Sequence, residues 1–135
     1  MQVVIDTNVV ASAIFFGGSP KKVIDSVMSN EIDACASREI LDEYTETVDY
    51  LKNKYSSKAP TIPLIDIAAK CKLVEVHSKI DVCRDPDDNK FIECAMDSDC
   101  YYVVSGDKDL LTVKEYEGIK IVTVAEFLSI LENEQ

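Results

Sequence analysis

Apolar positions along this chain follow two alternating rhythms. Val3-Val4-Ile5 is a short β-branched run without polar alternation, as expected of a strand covered on both faces, and it ends at Asp6. A short apolar helix is predicted over Val9 to Phe16. Gly17-Gly18-Ser19-Pro20 breaks it and starts another through Ser29, with Ser19 as N-cap and Pro20 at the first helical position. Ile32 to Ala36 reads as a second strand, and Ser37 caps a helix in which Ile40, Tyr44, Val48 and Leu51 recur at helical spacing. Lys52 to Thr61 reads as a turn, Pro63 to Lys72 as a helix and Leu73 to Val76 as a strand. Arg84-Asp85-Pro86-Asp87 reads as a loop, Asp88 to Asp97 as a helix, and Tyr101 to Val104 as a strand ending before Ser105-Gly106-Asp107. Ile119 to Val122 is a last strand, after which Thr123 and Glu126 form a capping box for a helix through Leu131. Strands alternating with helices predict an α/β fold with a central parallel sheet and helices on both faces.

At 135 residues the chain suits one domain, expected to span 1–135, in which any site is built within one core. Its 25 acids outnumber 14 cations, for a net charge of −11, which excludes tight nucleic-acid binding through bulk charge alone. A nucleic-acid ligand would need a local basic patch or a bridging metal. Five cysteines form no CxxC pair and fit reduced, mostly buried thiols in a cytoplasm. No apolar run approaches eighteen residues and no basic leader precedes an apolar stretch, so neither membrane insertion nor secretion is expected.

In an open parallel sheet, ligands bind beyond the carboxyl ends of the strands, which gives weight to Asp6 and Asp107. Each also suits a turn or cap role. Asp88 lies in helical phase with Phe91, Ile92, Ala95 and Met96, on the buried side, where it could equally cap its helix; Asp97 falls half a turn away and reads as solvated. Glu43 sits about 60° round its helix from Ile40, closer to the apolar arc than Glu39, Asp42 or Glu46. Such carboxylates would repel one another if brought together, and a divalent cation resolves the conflict. All-oxygen ligands select Mg²⁺ or Mn²⁺, which points to phosphodiester hydrolysis by activated water. His77, the one histidine, lacks a Ser or Cys partner for a triad and reads as a strand-end residue.

Four segments, Ile5-Asp6-Thr7-Asn8, Ile40-Leu41-Asp42-Glu43-Tyr44, Arg84-Asp85-Pro86-Asp87-Asp88-Asn89-Lys90-Phe91 and Val104-Ser105-Gly106-Asp107-Lys108-Asp109, resemble the PIN domain in order and spacing. They are similar in particular to VapC-like toxins of prokaryotic toxin–antitoxin pairs. The resemblance implies a three-layer α/β/α fold and a Mg²⁺- or Mn²⁺-dependent ribonuclease with Asp6, Glu43, Asp88 and Asp107 as its catalytic, metal-binding acidic quartet, Glu43 a ligand directly or through water and a candidate to orient or deprotonate the attacking water. It further implies an RNA substrate, a protein antitoxin and a homodimer. Asp109 matches a further acid, while Thr7, Asn8 and Ser105 stand near the quartet. Asp85 and Asp87 leave the third acid open to slippage, although helical phase favours Asp88.

The interval between Asp49 and Asp66 contains no acid but holds Lys52, Lys54 and Lys58 among Tyr50 and Tyr55, which suits phosphate contact and base stacking as well as a solvated helix end. Lys21 and Lys22 are a second basic pair. Two other readings share much of this pattern. A PIN-like scaffold that binds RNA or protein without cutting retains the fold and the quartet. A receiver-type phosphoacceptor domain has the same size, acidity and Mg²⁺ binding, but wants adjacent acids after its first strand, where Thr7-Asn8 stands here.

Overall fold

The computed structural model describes residues 1–56 and 59–134, so Lys58 lies outside the described residues. Its elements in chain order are β1 (Gln2–Ile5), α1 (Thr7–Phe16), α2 (Gly18–Met28), β2 (Asp33–Ala36), α3 (Arg38–Lys54), α4 (Leu64–Lys70) and β3 (Lys72–Leu73). A single 3₁₀ turn at Pro86–Asp88 leads into α5 (Asn89–Asp97), followed by β4 (Tyr102–Val104), α6 (Lys108–Val113), β5 (Glu115–Tyr116), β6 (Ile119–Val122) and α7 (Val124–Asn133). The strands form one sheet in the order β3-β2-β1-β4-β6-β5, parallel except for the last pair. The expected α/β/α architecture with a mostly parallel central sheet is therefore present.

Val3, Val4, Ile5, Val103 and Val104 are fully or almost fully buried in the middle of this sheet, which explains their lack of polar alternation. Strand order reverses between β1 and β4. The chain runs outward from β1 through β2 to β3, then crosses back to add β4 on the other side. Such a switch point leaves a crevice at the carboxyl ends of the two strands, because their onward connections diverge.

Several boundaries differ from the sequence reading. Helix α2 begins at Gly18 with Gly17 at its cap, so Ser19 does not cap it. Gly17 at φ 71° and Gly18 at φ 64° occupy the left-handed region, where only glycine is unstrained, and their turn starts the helix early. Helix α3 extends through Lys54, placing Lys52 and Lys54 in its last turn instead of a loop. Their charges suit the negative end of the helix dipole there. Helix α4 stops at Lys70, and β3 has only two residues in place of the strand expected over Leu73 to Val76. Ser37 does cap α3, accepting from the Ile40 amide, and Thr123 and Glu126 do form a capping box. The strand expected over Ile119 to Val122 is present as β6, whereas helix α6 and strand β5, which pairs with β6 as a hairpin, were not anticipated. No helix among the described residues is long and apolar enough to cross a membrane.

After β3 the chain leaves the sheet, and its backbone donors pass to side chains of α5. Asp97 accepts from the His77 and Ser78 amides and the Ser78 hydroxyl, Glu93 from the Ile80 amide, and Asn89 from those of Val82 and Cys83. Residues 89, 93 and 97 recur every four positions and so share one face of the helix. Asp97 is exposed, but these hydrogen bonds, the Ser78 hydroxyl first, hold its carboxyl below the usual range; its reading as merely solvated is corrected. Four of the five cysteines are buried, and all are free thiols.

Candidate metal centre and nuclease site

Asp6 follows β1 directly and is 4% exposed. Its amide donates to the Val104 carbonyl, binding the end of β1 to the end of β4 across the switch point. Ser105, fully buried, donates from Oγ to Asp6 Oδ2 at 2.6 Å and accepts from the Asp107 amide at 2.9 Å. This serine fixes the two strand-end acids relative to each other. Burial raises the Asp6 pKa, opposed by the Ser105 hydrogen bond and assisted by the charges of Asp107 and Glu43.

Glu43 reaches the same crevice from α3. Its neighbour Tyr44 is buried, and the Tyr44 hydroxyl donates to the Ile5 carbonyl, pinning the helix to the end of β1 one residue before Asp6. Thr7 Oγ1 donates to Glu43 Oε2, and the Lys90 ammonium lies 2.6 Å from Glu43 Oε1. Lys90 is 6% exposed and also contacts Asp87 Oδ1 at 2.9 Å. Burial alone would lower its pKa, but Glu43 and Asp87 together hold it above the ordinary value, so Lys90 is a charged ammonium at neutral pH.

The Arg84–Asp88 loop is shaped by Asn89, which takes the Val82 and Cys83 amides on Oδ1 and donates from Nδ2 to the Pro86 carbonyl. Asp85 accepts from the Asp87 amide and opens the 3₁₀ turn, which leaves Asp88 at the cap position of α5 without a capping hydrogen bond. The three acids separate by role. Asp87 pairs with Lys90, while Asp88, half-buried, and Asp85, exposed, both line the cleft. Asp88 Oδ2 is the buried side-chain oxygen or nitrogen that no hydrogen-bond partner reaches among the described residues. Burial, then the facing Asp107 carboxyl, with smaller contributions from Asp85 and Asp6, push Asp88 up to about 8.

Asp6, Glu43, Asp88 and Asp107 line one cleft of about 390 Å³ together with Thr7, Asn8, Asp85, Glu46 and Thr47. Carboxylate oxygens of Asp85, Asp88 and Asp109 also come within 4.8 Å of one another, so Asp88 faces both groups. An all-carboxylate donor set suits a hard divalent cation, and a buried oxygen with no donor is one such an ion would satisfy. Sequence reasoning missed Lys90 and Glu46. Glu46 lies one helical turn beyond Glu43, a detectable spacing. Lys90 carries no signal until Glu43 is known to approach it. Lys52 and Lys54 stand about 14 to 17 Å along α3 from Glu43 at 1.5 Å per residue. Lys54 also lies 5.6 Å from the centroid of the Tyr55 ring.

The sequence profile of the PIN domain matches residues 2–109, a stretch that contains every acid of this cleft, and the chain belongs to that family. PIN domains are a nuclease family whose members generally work with divalent metals on nucleic acid. The chain is also similar to the uncharacterized protein MJ1680 of Methanocaldococcus jannaschii, with 33% identity over 119 residues covering 85% of this chain and 76% of that one.

Proposed function

We propose that the protein is a Mg²⁺- or Mn²⁺-dependent endoribonuclease that hydrolyses RNA phosphodiester bonds. The observation carrying this reading is the donor-free Asp88 Oδ2 in a cleft it shares with the strand-end acids Asp6 and Asp107. A divalent ion supplies, when bound, positive charge against the scissile phosphate and acidification of water. Asp6, Asp88 and Asp107 would hold that ion, and the Ser105 hydroxyl fixes the Asp6 carboxylate in the cleft. Glu43, held by Thr7 and Lys90, orients the water that attacks phosphorus. As the new P–O bond forms, the attacking water gives up a proton to solvent, the bond to the leaving ribose oxygen breaks and that oxygen takes a proton from solvent. Asn8 lines the cleft, and Asp109 adds negative charge beside Asp88. Likeness to VapC-like toxins supports a toxin role with a protein antitoxin as partner, a homodimeric assembly and a cytoplasmic setting.

The test is cleavage of mixed RNA by wild type and by Asp6→Asn, Asp88→Asn and Asp107→Asn proteins, with and without Mg²⁺ or Mn²⁺. Each substitution removes ligand charge worth several kcal/mol in the transition state, so each folded variant should lose about 10²- to 10³-fold in rate. Variants that cut as fast as wild type, or cleavage that persists without metal, would overturn the assignment.

A further inference from the structure

The cleft is electrostatically divided. On one side, both oxygens of Glu43 are engaged, Oε2 by the Thr7 hydroxyl and Oε1 by the Lys90 ammonium at 2.6 Å. The same ammonium holds Asp87 at 2.9 Å, so one cation serves two carboxylates. On the other side stand Asp6, Asp88 and Asp107, and among the described residues no Lys or Arg nitrogen comes within ion-pair distance of any of them. The acids without a cationic partner and the donor-free oxygen thus coincide on the Asp88 side, and compensated charge lies on the Glu43 side.

We propose that the Lys90 ammonium takes the place a divalent cation would need at Glu43, so that Glu43 is not a direct ligand and the cleft binds one ion on the Asp88 side, where Asp6 and Asp107 on one flank and Asp85 and Asp109 on the other share Asp88 and therefore share that ion. This rests on the metal-dependent nuclease reading above and specifies its ion count. A dication seated on Glu43 would require a ligand distance near 2 Å from an oxygen already bonded to an ammonium, setting two cations against each other in a half-buried site. Lys90 has little room to withdraw. It is 6% exposed, grows from the first turn of α5 between buried Asn89 and Phe91, and would leave Asp87 and Glu43 together without a counter-charge. Unlike a metal, the ammonium cannot dissociate, so Glu43 is fixed in position before any ion arrives. Lys90 is a positioning residue in this account, and its function is read in ion stoichiometry.

The full-length protein is titrated with Mn²⁺ and free Mn²⁺ is followed by electron paramagnetic resonance. Wild type should bind one ion per chain. Lys90→Met, which keeps the apolar stem and deletes the charge, should gain a second ion, and the Lys90→Met, Glu43→Gln double variant should return to one. Glu43→Gln alone should bind its single ion within about threefold of wild-type affinity, and this arm remains informative if Lys90→Met fails to fold. Two ions on wild type, one ion on folded Lys90→Met, or a tenfold or larger loss of affinity in Glu43→Gln would each overturn the proposal. Failure of the nuclease reading is distinguishable: wild type would then bind no Mn²⁺, which removes this inference with it.

Discussion

Replacing Asp88 by Asn should stabilise the metal-free protein at pH 8 and change it far less at pH 5. Burial and the facing Asp107 carboxyl raise the Asp88 pKa to about 8 from an ordinary 3.8. Between those limits the folded protein binds a proton that the unfolded chain has released, so stability falls as pH rises across this window. Each tenfold difference in proton affinity between the folded and unfolded chain is worth about 1.36 kcal/mol. Solvent screening at a half-buried site reduces the total to the order of 1–2 kcal/mol at pH 8. Asparagine has nearly the same shape, carries no charge and can donate toward Asp107, and no capping hydrogen bond is lost because Asp88 makes none. For a chain of this length the gain is about 3 to 8 °C in Tm. Differential scanning calorimetry in EDTA at pH 5 and pH 8, reported as variant minus wild type, isolates the contribution of this residue. At pH 5 the wild-type carboxyl is still protonated in the fold, and most of the difference disappears. Equal gains at both pH values would show that the carboxylate repulsion is unimportant, and a lower Tm at pH 8 would show that Asp88 instead stabilises α5 through its dipole.

Two further outcomes test the surroundings. Asn89→Ala strips the Val82 and Cys83 amides of their acceptor and should cost about 1–3 kcal/mol in urea unfolding, with faster hydrogen exchange at those two amides; unchanged exchange would mean the loop is held otherwise. If Lys52 and Lys54 contact phosphates flanking the cut, Lys52→Ala, Lys54→Ala protein should bind RNA more weakly and lose about 0.7 from the log–log salt slope per contact, and an unchanged slope would place the RNA track elsewhere.

The acids that follow strands were legible because a strand end is marked twice, by a β-branched run and by the polar residue that stops it, as at Ile5-Asp6 and Val104-Ser105. Glu43 was legible by phase, since Ile40, Tyr44 and Val48 define the buried arc of a 17-residue helix. Phase selected Asp88 over Asp87, but it gave Asp85 no place, because a 3₁₀ turn precedes α5 and obeys another period. Helix α6 has six residues, too few to show a 3.6-residue repeat beside the short β5–β6 hairpin. Lys90 was invisible for a different reason. Its partner Glu43 lies 47 residues away, and a lysine in a helical first turn ordinarily belongs to solvent.

The ladder of Asn89, Glu93 and Asp97 has a consequence for how the molecule behaves among its neighbours. An edge strand continuing from β3 would present a row of free amide donors to any extended peptide that met it. Here the chain is taken off the sheet after two residues, and the amides of His77, Ser78, Ile80, Val82 and Cys83 are consumed by side chains of its own helix. The opposite edge, β5, is equally short, at two residues. A chain with so many β-branched residues in its interior thus offers little template for intermolecular strand pairing. The polar face of α5 protects it from aggregation while the amino end of the same helix carries Asp88 into the cleft.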